Sequence, residues 1–589
     1  MKRFIFALLI IISSSFLFSQ EALKSIEENY YDFLSLKGTV KRPTLGYRTL
    51  SDSEWIYTEQ FISDEDEDEE DFEEISIPEK SKKIIDPWKN NLLGVKKSIN
   101  GSKRLAFKLY GLEWYNSINS ETPFGQNDGA LWQGKGYNLK LTTGIRFQAS
   151  ILELTLKPEF SFSQNKEFDT IGDVDNYSWC NKRSFINKEI YGTDYDILNY
   201  AGGNIDLVQR FGDGHVKTFD WGDSEIRLTF KNFTLGFGTQ KPWIGPAMLN
   251  PMLGSNNSGS YPKFDIGLRR TQLRIPGLKW YLGDIEGRLW TGTLYESDYF
   301  DDDSDNDKRM IHGLSVSYAP SFIPGLSIGA NRIYMTSWKT SNFKFLGKLF
   351  LINNDNGTDS GNDEDQKVSL YADWIFQKIG FEIYGEYGFD DFSQNKKTEP
   401  FHTGIYTVGV KQYIPLPINK LFPKLKKELD LHSQLIIEIN NFEMSQDYQL
   451  QFPYLGYYSH GAIPQGYTNR GQILGAGSGY FGNSQFIEYK VYYPKGSTSF
   501  HFHRYCPNNN IILSQAVYTA AEKGSKFQAA YYQNYESYYD FGISTNIFVT
   551  KALNINAGFD WVEIYNWRYY QGREKRNLQL SFGAKYNFF

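Results

Sequence analysis

The sequence predicts an all-β transmembrane fold, namely an antiparallel outer-membrane β-barrel of about 18 strands with a small N-terminal periplasmic helical region. Three observations support this fold class. Tyr, Phe and Trp make up 17% of the 589 residues, yet the mean hydropathy is only −0.49, and after the first twenty residues no apolar stretch is long enough for a membrane helix. Apolar and polar residues alternate with a period of two along most of the chain. The connections between the alternating segments are short and long in turn.

Residues 1–20 have the layout of a secretory signal peptide. A basic pair precedes the apolar residues 4–12, and small residues lead to a cleavage point near Ser19 or Gln20. A membrane anchor is the alternative, but the apolar run is short and an acidic segment follows it. The chain is therefore expected to be exported to the cell outer membrane. Its formal net charge of −7 gives no support to nucleic-acid binding.

Residues 21–100 are predicted to form a periplasmic helical region with an acidic linker. Apolar residues recur at helical spacing over residues 21–36, and Gly38 supplies a stop. A second short helix is predicted over residues 52–61. Ten of the eleven residues from 64 to 74 are Asp or Glu, and such a run stays solvated because its charges repel one another.

Residues 101–589 are predicted to form the barrel. Odd positions from 139 to 147 are apolar or Thr, even positions between them are polar or Gly, and the pattern recurs at residues 553–561 and 578–588. A soluble β-sandwich alternates in the same way, so alternation alone leaves both folds open. Strands of about ten residues suit a tilted crossing of the hydrocarbon layer and favour the barrel. The last strand resembles the terminal strand that barrel-assembly machinery recognises, although the final Phe589 falls on its polar face.

The connections predict which loops face outward. Tight turns at residues 230–233, 520–525 and 550–553 alternate with long polar connections at residues 164–222, 240–261, 298–309, 336–366 and 445–483. If both termini are periplasmic, the long connections lie outside the cell, and about 18 to 20 strands result. Cys180 and Cys506 then both lie in outer loops, where a disulfide is geometrically permitted and two free thiols are equally open.

Several segments contain distinctive motifs in a fixed order. They are residues 31–55 (YDFLSLKGTVKRPTLGYRTLSDSEW), 123–136 (PFGQNDGALWQGKG), 241–246 (KPWIGP) followed by Ser255-Asn256-Asn257 and Tyr261-Pro262, the pair 371–374 (YADW) and 384–391 (YGEYGFDD), and 466–471 (GYTNRG) with Gly475. In this order and spacing they resemble the Wzi capsule-assembly family of outer-membrane proteins. Together they extend over most of the chain.

The resemblance implies a barrel of about eighteen strands, a small helical bundle at its periplasmic end and loops that close the lumen. It also implies a function, which is to hold capsular polysaccharide at the cell surface in a lectin-like manner and without chemistry. The sequence departs from the family in the acidic run at residues 64–74 and in the acidic loop at residues 298–307. The second departure argues against an acidic polysaccharide as ligand, since like charges repel unless Ca²⁺ bridges them.

Sugar binding requires aromatic faces for pyranose C–H groups beside amides, carboxylates or Arg for the hydroxyls. Three predicted outer loops contain this mixture. The candidate glycan-binding residues are Trp132, Trp243, Asn256, Asn257, Tyr454, Tyr457, Tyr458, His460, Tyr467, Asn469 and Arg470. The alternative is that these side chains pack the loops into a plug or form the aromatic girdle at the membrane interface.

The sequence does not indicate an enzyme. It has no G-x-S-x-G motif, and its seven His are scattered. His501 and His503 share one strand face but lack a third ligand nearby in sequence, so neither a metal nor a cofactor is predicted. The expected partners are surface polysaccharide, outer-membrane lipid and the barrel-assembly machinery. A porin or sugar-uptake channel is the alternative, because it needs the same barrel with an open pore.

Overall fold

The protein is described here by a computed structural model, which describes residues 25–53, 55–57, 105–170, 184–186, 205–278, 280–300, 303–350, 364–390, 404–416, 431–442, 457–460, 462–509, 535–550 and 552–586. The predicted signal peptide, the acidic run at residues 64–74 and the tight turn predicted at residues 520–525 lie outside the described residues. Among the described residues, no helix is both long and apolar enough to cross a membrane.

The chain forms a closed antiparallel β-barrel of eighteen strands. Numbered β1 to β18 in chain order, the strands are Leu105–Asn119, Gly136–Ala149, Leu152–Leu156 continued by Glu159–Ser163, Val216–Asp220 continued by Glu225–Phe230, Phe233–Gly238, Lys263–Arg274, Tyr281–Tyr295, Lys308–Pro320, Leu326–Ser337, Glu364–Phe376, Phe381–Asp390, Gly404–Leu416, Leu431–Asn441, Asn483–Tyr493, Gly496–Cys506, Ser537–Phe548, Leu553–Tyr565 and Lys575–Tyr586. Strand β18 pairs with β1 and closes the barrel.

Two neighbouring strands, β3 and β4, are each interrupted. The break in β3 contains Pro158, which has no N–H to donate to a ladder, and Lys157 forms an isolated bridge with Gly222 in the break of β4. Gly222 has φ +56, a conformation that favours glycine, and its N–H donates to Asp220 Oδ1 over 2.6 Å. Each interrupted strand therefore counts as one membrane-crossing strand that is built from two consecutive segments.

The outer face of the barrel is apolar, as the period-two pattern predicts. In β16, Phe541, Ile543 and Ile547 are exposed whereas Asp540 and Asn546 are buried on the lumen side. The same alternation of exposed apolar and buried polar residues occurs in the other strands, so the apolar face meets lipid and the polar face lines the lumen.

Short turns and long loops lie at opposite ends of the barrel. The connections at residues 231–232, 494–495 and 549–552 are tight and share one end with the C-terminal end of β18. The long connections at residues 239–262, 296–307 and 442–482 lie at the other end. The predicted alternation of short and long connections is thus confirmed for the described residues.

The N-terminal segment, residues 25–57, begins with helix α1, Ile26–Ser35. The side chain of Ser25 caps α1 by accepting from the Glu28 N–H over 3.1 Å, and Gly38 after the helix has φ +71. The second predicted helix is wrong over the described residues. Leu50–Asp52 is a single 3₁₀ turn, and Ile56–Tyr57 pairs as a short strand with Val40–Lys41. This pairing satisfies backbone N–H and C=O groups that would form hydrogen bonds within a helix if one were present.

The N-terminal segment lies inside the barrel, at the end with the short turns. Arg42 forms ion pairs of 2.5 to 2.8 Å with Asp32 of its own segment and with Asp373 and Glu382 on the barrel wall. Phe33 stacks on Tyr492, with ring centroids 4.4 Å apart. This segment therefore fills the lumen at that end.

The long loops fold into the lumen from the opposite end and form a plug. Trp243–Ile244 pairs as a two-residue strand with Tyr47–Arg48 of the N-terminal segment, so the two insertions meet inside the barrel. The core of the plug is an apolar cluster drawn from three loops, the N-terminal segment and the barrel wall. It includes Tyr47, Ile205, Ile244, Leu253, Trp290, Ile311, Ile333, Tyr458, Tyr467 and Leu474.

Two carboxylates on the barrel wall hold these insertions by the backbone. Glu286 accepts from the N–H groups of residues 45–47 over 2.8 to 3.1 Å. Glu438 accepts from the N–H groups of residues 248–250 over 2.5 to 3.1 Å. Hydrogen bonds to an ionised carboxylate are stronger than neutral ones, so each wall position fixes one inserted segment.

The remaining described elements are short and lie in or beside the loops. They are the ladders of Ser184–Ile186 with Ile205–Val208 and of Thr468–Asn469 with Gln472–Ile473, the 3₁₀ turns Thr340–Lys344 and Trp567–Tyr569, and the helical turn Phe345–Lys348.

Candidate functional site

The predicted glycan-binding residues fall into two groups in the structure. Six of them are buried in the plug, with at most 4% of the side chain exposed: Trp243, Asn256, Tyr457, Tyr458, Tyr467 and Asn469. Four reach the surface at least in part: Trp132, Asn257, His460 and Arg470. Tyr454 lies outside the described residues.

The buried tyrosines hold the plug together. Tyr458 and Tyr467 stack with centroids 5.6 Å apart, and their hydroxyls donate to the carbonyl oxygens of Met252 and Leu253 over 2.6 and 2.7 Å. Burial raises the pKa of both phenols well above the usual range. The rings and the hydroxyls therefore both make contacts within the protein. This agrees with the alternative in which these side chains pack the loops into a plug.

The buried tryptophan and amides also have internal partners. Trp243 Nε1 donates to the Ala247 carbonyl over 2.9 Å. Asn469 donates to the Gly259 carbonyl over 3.2 Å and accepts from the Tyr295 N–H over 3.1 Å. These contacts join the loops to each other and to the barrel wall, and they leave the side chains away from the outer surface.

A cleft of about 200 Å³ opens at the long-loop end and brings Trp132 and Asn257 together. We call it the outer cleft. Its aromatic lining comprises Phe124, Trp132, Tyr505, Tyr538 and Trp567, and its polar lining includes Gln126, Asn127, Asp128, Gln209, Asn257, Gln472, Asn508 and Arg568. Aromatic faces beside amides, a carboxyl and a guanidinium are the combination expected of a sugar site, and six separate loops contribute to it.

One wall of the outer cleft is an aromatic stack. Tyr505 and Tyr538 lie nearly parallel, with centroids 4.6 Å apart and planes 11° apart. The guanidinium of Arg568 lies 4.3 Å from the ring centroid of Trp567. The carboxylate of Glu536 accepts hydrogen bonds from the backbone N–H of Arg568 and from the hydroxyl of Tyr538. The stack is thus fixed by charge-assisted contacts.

Three of the eight non-glycine residues with positive φ in the described part of the chain line the outer cleft. Asn127, Asn508 and Arg568 all have φ between +54° and +59°, a region that non-glycine residues rarely occupy. For Arg568 this conformation costs of the order of 1 kcal/mol or more, and residues held in this way cluster at binding sites. All three residues line the cleft.

Asp128 is the buried acid of the outer cleft. It is 6% exposed, and its Oδ2 has no hydrogen-bond partner among the described residues. Burial raises the pKa of this carboxyl to about 7, although the ammonium of Lys140 opposes the shift. Near neutral pH the group can therefore donate or accept a hydrogen bond with a ligand hydroxyl.

His460 and Arg470 reach the surface outside the lining of the outer cleft. His460 Nδ1 accepts from the N–H groups of Ala462 and Ile463 over 3.1 and 3.2 Å and so shapes its own loop. The exposed guanidinium of Arg470 lies 5.3 Å from the ring centroid of Tyr295. The structure therefore joins two of the eleven predicted residues in one cleft.

Most residues of the outer cleft were not among those predicted from the sequence. The aromatic-rich loop NWRYY at residues 566–570 contains Trp567 and Arg568, and it has the same mixture of rings and polar groups as the loops that were selected. Tyr505 and Tyr538 could not be found in this way, because each sits at the end of a strand and reads as part of the alternating pattern.

A disulfide between Cys180 and Cys506 and two free thiols stay the two alternatives that the sequence leaves open, because Cys180 lies outside the described residues. Cys506 is buried, and its Sγ receives a hydrogen bond from Arg504 over 2.9 Å and lies 3.0 Å from Ser537 Oγ.

Comparison with known proteins agrees with this architecture. The sequence model of the capsule assembly protein Wzi family matches residues 119–578. A solved structure described as Wzi, an outer-membrane protein involved in group 1 capsule assembly in Escherichia coli and a carbohydrate-binding β-barrel, superposes with a TM-score of 0.54 at 12% identity, covering 98% of this chain and 100% of that one. At that identity the likeness shows the fold.

Two further solved structures are more distant from this chain. OprD from Pseudomonas aeruginosa has a TM-score of 0.36 at 8% identity, covering 82% of this chain and 94% of that one. OccAB2 from Acinetobacter baumannii has a TM-score of 0.35 at 9% identity, with coverages of 82% and 98%. No curated protein sequence matches this chain significantly. Since the family model matches most of the chain and the eighteen-strand barrel presents an apolar face to lipid, this protein is an outer-membrane β-barrel that belongs to the Wzi capsule-assembly family.

Proposed function

We propose that this protein binds surface polysaccharide at the outer face of the cell and holds it there, without catalysing a reaction. The observation that supports the proposal is the outer cleft, where Trp132 and the Tyr505–Tyr538 stack stand beside amide side chains, Asp128 and Arg568. The E. coli member of the family is described as carbohydrate-binding and as involved in capsule assembly, which agrees with this proposal.

The size of the outer cleft fits part of a chain rather than a whole polymer. A volume of about 200 Å³ accommodates about one monosaccharide residue, since pockets for drug-sized ligands span about 300 to 1,000 Å³. The polymer would continue over the neighbouring loops, where the exposed Arg470 and the partly exposed His460 offer further polar contacts. Many such weak contacts along a repeating polymer give firm retention through multivalency.

The remaining assignments follow the orientation of the barrel. Residues 1–20 would be removed on export, and residues 21–100 would form the periplasmic region, of which the described residues 25–53 and 55–57 enter the barrel from the periplasmic side. The exposed apolar residues of the strands would contact outer-membrane lipid, and the barrel-assembly machinery would act on the C-terminal strand β18.

The test is polysaccharide binding by the folded, detergent-solubilised protein and by a Trp132→Ala variant. A panel of purified bacterial polysaccharides is immobilised, and binding is followed by biolayer interferometry. Removing one stacking ring should weaken binding about fivefold to tenfold, which corresponds to roughly 1 to 1.5 kcal/mol of contact energy.

A matched control is Trp280→Ala. Trp280 is 66% exposed in the turn between β6 and β7, at the end of the barrel opposite the outer cleft. It should leave binding unchanged, and both variants should keep the heat-modifiable gel mobility of a folded barrel. Equal binding by wild type and Trp132→Ala would remove the outer cleft from the proposal, and no binding to any polysaccharide by wild type would overturn the proposed function.

A further inference from the structure

A second polar cluster lies inside the barrel wall, away from the outer cleft. His501 of β15, Asp540 of β16 and Asp560 of β17 face the lumen on three adjacent strands. His501 Nε2 lies 2.9 Å from Asp540 Oδ2 and 3.5 Å from Asp560 Oδ1. From the sequence, His501 was grouped only with His503 on the same strand. In the fold, His501 instead lies beside carboxylates from the next two strands.

A glycine makes room for this cluster. In the register of the barrel, Gly542 stands directly between His501 and Asp560. A Cβ at that position would overlap His501 Cε1 and Asp560 Oδ1. The absence of a side chain therefore lets groups from β15 and β17 meet across β16, which lies between them.

Among the described residues, no lysine or arginine pairs with the two carboxylates of the cluster. Other lumen carboxylates have such partners, for example Asp365 with Lys367 at 2.9 Å and Asp265 with Arg227 at 2.7 Å. Within the described part of the chain, neither Asp540 nor Asp560 forms an ion pair with Lys or Arg. The neighbouring Glu488, opposite His501 on β14, pairs with Lys490 instead.

Asp540 also has a buried atom without a partner. This residue is 4% exposed, and its Oδ1 has no hydrogen bond among the described residues. A buried carboxylate oxygen in that state is costly unless a proton, a water molecule or a cation satisfies it. The only positive charge within the cluster itself is a proton on His501, and the second carboxylate then needs either a proton of its own or a bound cation.

We propose that His501, Asp540 and Asp560 bind a divalent transition-metal ion, with zinc as the representative. One imidazole nitrogen and two carboxylate oxygens are ligands that Zn²⁺ accepts, and a site with three protein ligands keeps a fourth position for water. Tetrahedral ligands at normal zinc distances lie about 3.4 Å apart, close to the separations observed here. An imidazole ligand favours such an ion over Ca²⁺, which takes oxygen ligands.

A metal here would join three consecutive strands from the inside. The cluster adjoins the aromatic stack of the outer cleft, since Asp540 lies two residues from Tyr538 and on the same face of β16. The site is proposed independently of glycan binding, and it concerns the stability of the wall that supports the outer cleft.

The test uses the full folded barrel without a histidine tag. Equilibrium dialysis against Zn²⁺ alone, followed by metal analysis, should give one Zn²⁺ per barrel. Asp540→Asn and Asp560→Asn each replace a ligand by a neutral side chain of the same size, and each should weaken binding at least about tenfold, as loss of even an outer-shell partner commonly does. Co²⁺ taken up at the same site should give a visible absorption band that these variants lose.

Two further variants make the result specific. His215→Gln changes an exposed histidine that lies just before β4, away from strands β15 to β17, and should bind Zn²⁺ like wild type. Gly542→Ala removes no ligand and should nevertheless abolish binding, because its methyl group fills the space between the ligands. Heat-modifiable mobility reports folding of every variant, and the two Asn variants are informative even where Gly542→Ala fails to fold. Wild type without stoichiometric Zn²⁺, or Asn variants with the wild-type Kd, would overturn the proposal.

Discussion

At the scale of single residues, burial separates the aromatic residues that contact the exterior from those that maintain the fold. Trp132 and Tyr467 come from loops with similar composition, yet the structure leaves Trp132 half-buried at the outer cleft and Tyr467 fully buried beneath it. Composition predicted both as glycan contacts because it reports residue types and not depth. Truncating Tyr467 would create a cavity that costs several kcal/mol, so loss of binding there would report the plug rather than a sugar contact.

Asp128 gives a prediction for pH. Its pKa is about 7 in the folded protein because of burial, compared with 3.8 for an ordinary Asp, so the folded state holds this proton more tightly than the unfolded state. The stabilisation is complete below about pH 4 and is lost as the pH rises through 7. Asp128→Asn should therefore gain stability relative to wild type between pH 4 and 8, by up to a few kcal/mol at about 1.4 kcal/mol for each pKa unit.

The measurement is the thermal unfolding midpoint of both proteins in detergent over that pH range. Comparing the two proteins cancels the titration of the other carboxyls. Asp213→Asn is the matched control, since the Asp213 side chain is 95% exposed at the same end of the barrel, and its curve should parallel wild type. Parallel curves for Asp128→Asn as well would contradict the prediction.

At the scale of elements, sequence periodicity predicts those helices and strands whose formation depends on the spacing of nearby residues. Helix α1 was predicted because its apolar residues recur at three- and four-residue spacing, and the strands because theirs recur at two. The second helix was wrong because Ile56 and Tyr57 pair with Lys41 and Val40, fifteen and seventeen residues away, and no local pattern reports such pairing. The interruptions in β3 and β4 were likewise hidden, which left the strand count between 18 and 20 instead of eighteen.

The attachment of the N-terminal segment depends on Arg42. Its guanidinium contacts Asp32, Asp373 and Glu382, and 17% of the side chain is exposed. Arg42→Met keeps much of the volume but leaves three carboxylates without this partner, which should cost about 3 to 5 kcal/mol of the free energy that holds the segment in place. Hydrogen exchange of residues 26–57 should become at least about 100-fold faster, while the exchange of the barrel strands stays the same.

Arg274→Met serves as the comparison for that experiment. Arg274 is exposed at the same end of the barrel, where it donates to Gln272, and its removal should leave the exchange of residues 26–57 unchanged. Unaltered exchange in Arg42→Met would show that the stacked aromatic contacts of Phe33, rather than the ion pairs, hold the segment.

At the scale of the whole molecule, the same barrel can serve as a channel or as an anchor, and the contents of the lumen make the difference. The sequence predicted loops long enough to fold inward but not which of them do so, because that depends on partners on the wall such as Glu286 and Glu438. Here an N-terminal segment enters from one end, loops enter from the other, and Trp243–Ile244 pairs with Tyr47–Arg48 where they meet.

This arrangement predicts the electrical behaviour of the protein. In a planar lipid bilayer the wild-type protein should show no large, stable open current, because the inserted segments and their apolar core obstruct the path along the barrel axis. Replacing Glu286 and Glu438 by Ala removes the carboxylates that hold both insertions by their N–H groups, and this double variant should show frequent openings. A variant with Ala at the exposed Glu121, in the loop between β1 and β2, should stay as silent as wild type. A large and steady conductance of the wild-type protein would instead identify an open channel and would favour sugar uptake over retention of polysaccharide.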